Sequence, residues 1–302
     1  MHILITGGTG LIGTALTQRL LAENHTVTIL SRNPDSHSVP NSVNVVRWDG
    51  RSAEGWGHLM NEVDAVVNLA GVNLGGSLWT RKRKEQLLNS RLSAGHAVVE
   101  AFEKAERRPK VLVQASAVGY YAANEDSILD ENSRPGEDFQ GRLVQQWENS
   151  TQAVEFMGVR RVITRSGVVF ARGAFILTMF LLPFRMMVGG PIGSGKQYIS
   201  WLHIDDEVEG ILFLIQNQEA TGVYNLMSPE PVRNSEMGRT ISRVIKRPYW
   251  FPVPAFAMRA VLGELSTVVL DSWRGDPSRL LELGFVFKYP NVESALRDLV
   301  KH

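Results

Sequence analysis

Thr6-Gly7-Gly8-Thr9-Gly10-Leu11-Ile12-Gly13 has the residue types and spacing to hold phosphate. It follows the apolar run Met1 to Ile5, which reads as a strand. It leads into Thr14-Ala15-Leu16-Thr17-Gln18-Arg19-Leu20-Leu21, which has helical periodicity. A strand, a glycine-rich turn and a helix in that order make a cradle for a dinucleotide pyrophosphate. Glycines in the turn let the backbone reverse tightly and approach the phosphates, and Gly13 lets the helix pack closely on the strand. The phosphates would sit at a helix N-terminus, where free N–H groups and the macrodipole favour negative charge.

The residue after the second strand separates the two nicotinamide cofactors. A carboxylate there accepts hydrogen bonds from the ribose hydroxyls of NAD, and a basic residue accommodates the extra 2′-phosphate of NADP. The strand Thr26 to Leu30 runs into Ser31-Arg32-Asn33, with no carboxylate. Arg32 can fork onto phosphate oxygens and Ser31 can donate a hydrogen bond, which favours NADP(H). The alternative is that Arg32 is a plain surface arginine. Asp49, after the third strand, is a candidate for the adenine amino group or an ordinary loop aspartate.

Other candidates carry less. Gly190 to Gln197 nearly matches a triphosphate-binding loop, but Gln197 stands where Ser or Thr would hold Mg²⁺ and Tyr198 to Leu202 reads as extended. A substrate-side loop, with Gln197 and Trp201 near the ligand, is the better reading. His2, His25, His37, His58, His96, His203 and His302 show no ligand spacing, so no metal site is expected. His203, before Ile204-Asp205-Asp206, reads as a helix N-cap. Arg165 fits a substrate contact or a structural ion pair. The absence of cysteine excludes disulfides and a thiolate nucleophile.

These residues need a scaffold. The 302 residues, 44% hydrophobic and 21% charged, suit a large globular core. A net charge of +1 gives no reason to expect nucleic acid as a partner. Arg81-Lys82-Arg83-Lys84 reads as a solvated first helical turn. No apolar stretch reaches the roughly 18 residues of a membrane span, and no secretory signal precedes the first strand. A cytoplasmic protein without membrane association is the expectation. Further strands are expected at 43–48, 64–69, 110–115 and 161–170. Helices are expected at 84–105, with Leu88, Leu92, Gly95, Val99 and Phe102 on one face, and around Leu143, Trp147 and Val154, ending at Gly158.

Strands alternating with helices predict a doubly wound parallel α/β sheet of Rossmann type, with its ligand beyond the strands' carboxyl ends. From about Gly173 the alternation fails, apart from a late strand from Gly222 to Met227. The expected division is a dinucleotide domain over 1–172, to which 201–229 returns, and a smaller, partly discontinuous substrate region over 173–200 and 230–302. Phe175, Met179, Phe180, Met186 and Met187 could roof an apolar pocket for a small-molecule substrate. Core packing or a homodimer contact would explain them equally well.

Thr6 to Gly13, Asn68-Leu69-Ala70-Gly71, Ser116-Ala117-Val118-Gly119-Tyr120 and Gly195-Lys196-Gln197 to Asp205 occur in the order of one superfamily. The chain resembles the extended short-chain dehydrogenases/reductases, also called NAD-dependent epimerases/dehydratases. Within them it is similar to the atypical "epimerase family protein" branch, some of whose members carry a cell-division-inhibitor label. Tyr121, Gly193-Ser194, Ser200-Trp201-Leu202-His203, Gly284-Phe285 and Tyr289-Pro290 add to the likeness. The resemblance implies that Gly7, Gly10, Leu11, Ile12 and Gly13 hold the pyrophosphate. It puts Leu69, Ala70 and Gly71 along the adenosine side and Ala115 and Ser116 against the nicotinamide. It sets a supporting helix residue near Asn89 to Arg91, with Arg91 a candidate.

The superfamily's acid/base is a tyrosine followed four residues later by a lysine, which lowers the phenol's pKa. Four residues beyond Tyr120, Tyr121, Tyr198, Tyr224, Tyr249 and Tyr289 stand Asn124, Glu125, Leu202, Ser228, Val253 and Glu293. None is lysine. The expected helix, Gln140 to Glu148, has neither tyrosine nor lysine. Two readings follow. In one, the protein is an NADP(H)-dependent oxidoreductase or epimerase whose Ser116 polarises a carbonyl while Tyr120 or Tyr121 moves the proton. In the other, it binds NADP(H) without turnover, as a regulatory module.

Overall fold

The computed structural model describes residues 1–36, 39–124 and 126–300. His37, Glu125 and His302, considered above, lie outside the described residues. The strands are β1 (His2–Thr6), β2 (Thr26–Ser31), β3 (Asn44–Arg47), β4 (Ala65–Asn68), β5 (Val111–Ala117), β6 (Ile128–Leu129), β7 (Arg160–Ser166), β8 (Val168–Phe170), β9 (Tyr198–Ile199), β10 (Trp201–His203), β11 (Gly222–Leu226), β12 (Val232–Arg233) and β13 (Arg274–Gly275). The helices are α1 (Leu11–Ala22), α2 (Arg81–Lys104), α3 (Phe139–Asn149), α4 (Phe175–Arg185), α5 (Ile204–Gln216), α6 (Asn234–Ile245), α7 (Ala255–Leu262), α8 (Thr267–Leu270), α9 (Ser278–Glu282) and α10 (Val292–Leu299).

One parallel sheet runs in the order β11-β7-β5-β4-β1-β2-β3. This is the doubly wound arrangement expected from the sequence. Its inner strands are apolar on both faces because helices cover both. Ile3, Ile5, Val67, Val113 and Val162 meet α1 and α5. Leu4, Val66 and Leu112 meet α2. A separate core joins α4, α6 and α10 around Phe170 and Trp201. No helix among the described residues is long and apolar enough to cross a membrane.

The close packing of β1, the turn and α1 explains the glycines. Gly7 has φ +69°, and a Cβ there would lie 2.8 Å from the Leu69 carbonyl oxygen. A Cβ on Gly13 would stand 2.5 Å from both Gly7 O and Gly8 Cα.

Several expectations are corrected. The strand expected over 161–170 is two, because the chain turns at Gly167. Gly167 N–H bonds Leu226 O, and Val168 N–H bonds Ser200 O at 2.7 Å, carrying β8 off the main sheet to pair with β10. A Cβ on Gly167 would sit 2.7 Å from Ser200 O, so only glycine fits. The buried face of α2 is Leu87, Arg91, Ala94, Gly95, Ala97, Val98, Ala101 and Phe102, which keeps Gly95 and Phe102 of the expected face and replaces Leu88, Leu92 and Val99 by their preceding neighbours. Small side chains let the helix lie close to its neighbours, whereas Leu88, Leu92 and Val99 fall at the boundary. The helix expected to end at Gly158 stops at Asn149, and a 3₁₀ segment, Gln152–Met157, continues to Gly158 in the left-handed region. Trp201 and Gln197 are not exposed to a ligand. Trp201 is fully buried and donates to Glu230 O at 2.9 Å, and the Gln197 amide donates to Ile192 O and Val269 O, each at 3.0 Å.

Gly13→Ala is expected to lower the unfolding free energy by about 1–3 kcal/mol through overpacking, read as a lower urea midpoint. An unchanged midpoint would show that the turn relaxes at no cost.

Candidate dinucleotide-binding site

Gly10 caps α1 through its backbone, and no carboxylate occupies the first turn. The N–H groups of Leu11, Ile12 and Gly13 belong to that first turn, where an α-helix has no acceptors of its own. A cavity of about 1180 Å³ opens beside it, reached by Gly7, Thr9 and Gly10. It extends over the end of β2 to Ser31 and Arg32, over the end of β3 to Asp49 and Arg51, and along Leu69, Ala70 and Gly71 to α2.

Arg32 is exposed at this cavity, and no carboxylate pairs with it among the described residues. Ser31 is buried, and its hydroxyl accepts from Asn33 N–H at 3.2 Å. Asp49 accepts from the backbone N–H groups of Ser52 at 3.0 Å and Arg51 at 2.7 Å, which hold its carboxyl below the usual carboxylate range. It therefore closes the turn after β3 and faces the cavity as an anion. Arg51 and Lys82 also line the cavity. Sequence reading missed both. Lys82 was absorbed into a solvated turn, and Arg51 follows a short strand that carries no motif.

A buried ladder of amides fixes the 69–71 wall. Thr6 Oγ1 donates to Asn68 Oδ1 at 2.6 Å, Asn68 Nδ2 to Gln114 Oε1 at 2.7 Å, and Gln114 Nε2 to Ala115 O at 2.7 Å. Ala70 N–H in turn donates to Thr6 Oγ1 at 3.2 Å. Three neighbouring strands, β1, β4 and β5, are thereby tied to the loop. Arg91 lies behind this wall. Its guanidinium donates to Val72 O and Leu87 O at 3.1 Å, and a Cβ on Gly71 would approach it to 3.1 Å. Burial, with Arg83 nearby, brings its pKa down to about 10. It braces the wall from beneath.

Beyond Ala115, at the carboxyl end of β5, stands a second polar group. The face of α3 turned to the sheet carries Gln140, Val144 and Glu148 at four-residue spacing, all buried. Ser116 Oγ donates to Glu148 Oε1 at 2.5 Å. Arg165 grips the same carboxylate with two bonds, Nε to Oε1 at 2.8 Å and Nη2 to Oε2 at 3.0 Å. Burial works against its charge, but the Glu148 contacts outweigh that and raise its pKa. Arg165 is thus an ion-pair residue. Tyr120 lays its ring over the guanidinium, 3.3 Å from centroid to Cζ. The Tyr121 hydroxyl donates to Asn225 Oδ1 at 2.6 Å and accepts from Arg165 at 3.1 Å. Burial pushes that phenol up, with Arg165 opposing only in part. The Tyr120 hydroxyl has no hydrogen-bond partner among the described residues.

His203 caps α5 as expected, with Nδ1 accepting from Asp205 N–H at 3.0 Å, and burial lowers its pKa. Among the described residues, no group of three or more His, Asp or Glu could hold a metal ion. Glu207, in the first turn of α5, is fully buried and takes one bond, from Ser166 Oγ at 2.8 Å. Its Oε2 has no partner, and burial pushes its pKa up to about 8.

The fold and site together define a dinucleotide-binding α/β protein with an appended helical region. The model of the NAD dependent epimerase/dehydratase family matches residues 3–227, and a domain of unknown function (DUF1731) matches 253–299. The chain belongs to the NAD dependent epimerase/dehydratase family. An epimerase family protein of Staphylococcus epidermidis is 39% identical, over 99% of this chain and 98% of its own. The human epimerase family protein SDR39U1 (isoform 2), crystallised with NADPH, superposes with a TM-score of 0.89 at 34% identity and covers 99% of both chains. A nucleoside-diphosphate sugar epimerase from Corynebacterium glutamicum gives a TM-score of 0.78 at 26% identity, over 99% of this chain and 58% of that one.

Glu207 makes stability depend on pH in a known direction. The unfolded chain releases its proton near the ordinary value of 4.5 and the folded chain only near 8. Between these values the native state binds more protons, so this contribution is complete below 4.5 and is lost as pH rises through 8. Glu207→Gln is therefore expected to raise the urea midpoint relative to the parent more at pH 8 than at pH 5. An equal difference at both pH values would contradict the assignment.

Proposed function

We propose that the protein binds NADP(H) in the 1180 Å³ cavity and uses it to reduce, or reversibly oxidise, a small carbonyl or alcohol compound. The observation that carries this reading is Arg32, a cation without a carboxylate partner among the described residues, at the cavity exit of β2 where an acidic residue would serve unphosphorylated NAD. The NADPH in the human relative supports the same cofactor.

The residues present fit the group. The Gly7–Gly10 backbone and the first turn of α1 suit the pyrophosphate, and Ser31 and Arg32 suit the 2′-phosphate. Asp49 is placed to accept from the adenine amino group, and Leu69, Ala70 and Gly71 pack along the adenosine. Bound NADPH would supply a hydride near Ala115 and Ser116.

At that end the chain provides a charged frame in place of a Tyr–Lys pair. Ser116 Oγ donates its hydrogen bond to Glu148, so its lone pairs are left to accept from a substrate hydroxyl or from the carboxamide of the ring. Tyr121 is committed to Asn225 and Arg165 and acts as a buttress, while Tyr120 presents the free phenol. A second reading, a non-catalytic NADP(H)-responsive module, is favoured by one observation. Gln140 and Val144 leave the sheet-facing side of α3 without an acid/base pair.

The test is NADPH oxidation, followed by absorbance, against a panel of aldehydes and ketones. Turnover supports the oxidoreductase. Tight binding without turnover of any member supports the module. Arg32→Ala is expected to weaken NADPH binding by about tenfold or more, the worth of a charge-assisted hydrogen bond, and to leave NADH affinity unchanged. Equal losses for both nucleotides would remove the 2′-phosphate role.

A further inference from the structure

α4 is almost wholly apolar, but only one side of it is covered. Leu177, Phe180, Leu181 and Phe184 enter the core shared with α6 and α10. On the other side Leu182 and Met186 stand in the open, followed by Met187 and Val188. The chain then reaches Gly189, whose carbonyl accepts from the N–H groups of Trp250 at 2.8 Å and Phe251 at 3.0 Å. The Trp250 indole N–H donates to Met187 O at 2.8 Å, so two segments 63 residues apart are joined into one tip. Its six large apolar side chains, Leu182, Met186, Met187, Val188, Trp250 and Phe251, are 38–67% exposed. A contiguous apolar patch of this kind marks a contact surface. Met187 has φ +66°, a left-handed conformation that disfavours bulky side chains, and it joins no buried core. Packing of the fold therefore does not explain a methionine there.

Charge around the tip has one sign. From Ala174 to Gly190 and from Met237 to Gly263 the chain has no Asp or Glu. The same two stretches carry Arg185, Arg239, Arg243, Lys246, Arg247 and Arg259. Arg243 pairs with Glu293 on α10. The other five are exposed and make no ion pair among the described residues. Arg247 Nη1 lies 3.7 Å from Met187 Sδ, which puts cation and apolar tip side by side. The net charge of +1 conceals this local excess.

We propose that this tip docks the protein on the surface of a bilayer rich in anionic phospholipid. The apolar side chains enter the boundary between headgroups and acyl chains, and the cations lie among the phosphates. A second copy of the chain does not match the charge. An isologous contact would set two cationic rims against each other with no carboxylate from either segment. Tyr249 and Trp250 beside Lys246 and Arg247 form the combination that anchors proteins at lipid headgroups, which favours a bilayer over an acidic protein. No helix among the described residues can cross the bilayer, so the contact is peripheral. The expectation of no membrane association rests on net charge and on the length of apolar runs. Neither registers a patch assembled from two distant segments.

Trp250 supplies the probe. It is the one exposed tryptophan of seven, since Trp48, Trp56, Trp79, Trp147, Trp201 and Trp273 are all buried. The experiment mixes the full chain with vesicles of phosphatidylcholine, alone or with added phosphatidylglycerol, and follows tryptophan emission and co-sedimentation. The expected result is a blue shift and sedimentation with the anionic vesicles only, both lost at high salt. Trp250→Ser and, separately, Lys246→Asn combined with Arg247→Gln are each expected to weaken sedimentation about tenfold or more. Met187→Asn, which suits the left-handed backbone, is expected to weaken it without lowering the urea midpoint. The proposal is overturned if neither vesicle shifts the emission, if neutral vesicles bind as well as anionic ones, or if the chain sediments with its emission unchanged. It is also overturned if sedimentation velocity shows a dimer that Trp250→Ser dissolves, which would assign the tip to a second copy. A shift with polyglutamate but none with anionic vesicles would assign it to an acidic protein instead.

Discussion

The buried grip of Arg165 on Glu148 is the constraint on which the carboxyl end of β5 depends. One carboxylate, nearly out of solvent, receives two bonds from the guanidinium and a third from Ser116. The same guanidinium carries the Tyr120 ring on its face and donates to the Tyr121 hydroxyl. β5, α3 and β7, far apart in the chain, are locked together there. A buried pair of this kind adds little net stability, since desolvation offsets the attraction. Removing one partner, however, typically costs about 3–5 kcal/mol by stranding a charge. Its value here is positional, because it decides where the Ser116 proton points.

The two ends of the site differ in how they are built. At the phosphate end, backbone does the holding. Gly7 and Gly13 let β1, the turn and α1 meet at distances that exclude a Cβ, and the Thr6–Asn68–Gln114 ladder keeps the opposite wall in register. The end over β2 and β3 is open and carries the exposed side chains of Arg32, Arg51 and Lys82, with Asp49 held there by the backbone of its own turn. α7 and α8 lie near the surface, with Val268 of α8 packed against Trp79, Leu87 and Leu143.

What the sequence made legible follows the physics of each part. The glycine turn and the alternation of strands and helices are local, and the cradle and parallel sheet could be read from them. Ser31, Arg32 and Asp49 could be placed because strand ends in this topology converge on one edge. The bend at Gly167 was hidden because its cause, the Ser200 carbonyl, is 33 residues away. On α2 the periodicity places Gly95 and Phe102 correctly but puts Leu88, Leu92 and Val99 in place of Leu87, Arg91 and Val98, because leucine and valine outweigh alanine in such a count, although close packing favours alanine. Glu148 gave no signal, because a carboxylate in a helix looks like solvated surface until the fold buries it against Arg165.

The account stands first on the cofactor, and calorimetric titration of NADPH and NADH into the purified wild-type chain tests it most directly. Saturable NADPH binding with NADH weaker by about tenfold or more, as one charge-assisted phosphate contact requires, is the predicted result. Equal affinities would contradict the part given to Arg32, and no binding of either nucleotide would contradict the site itself.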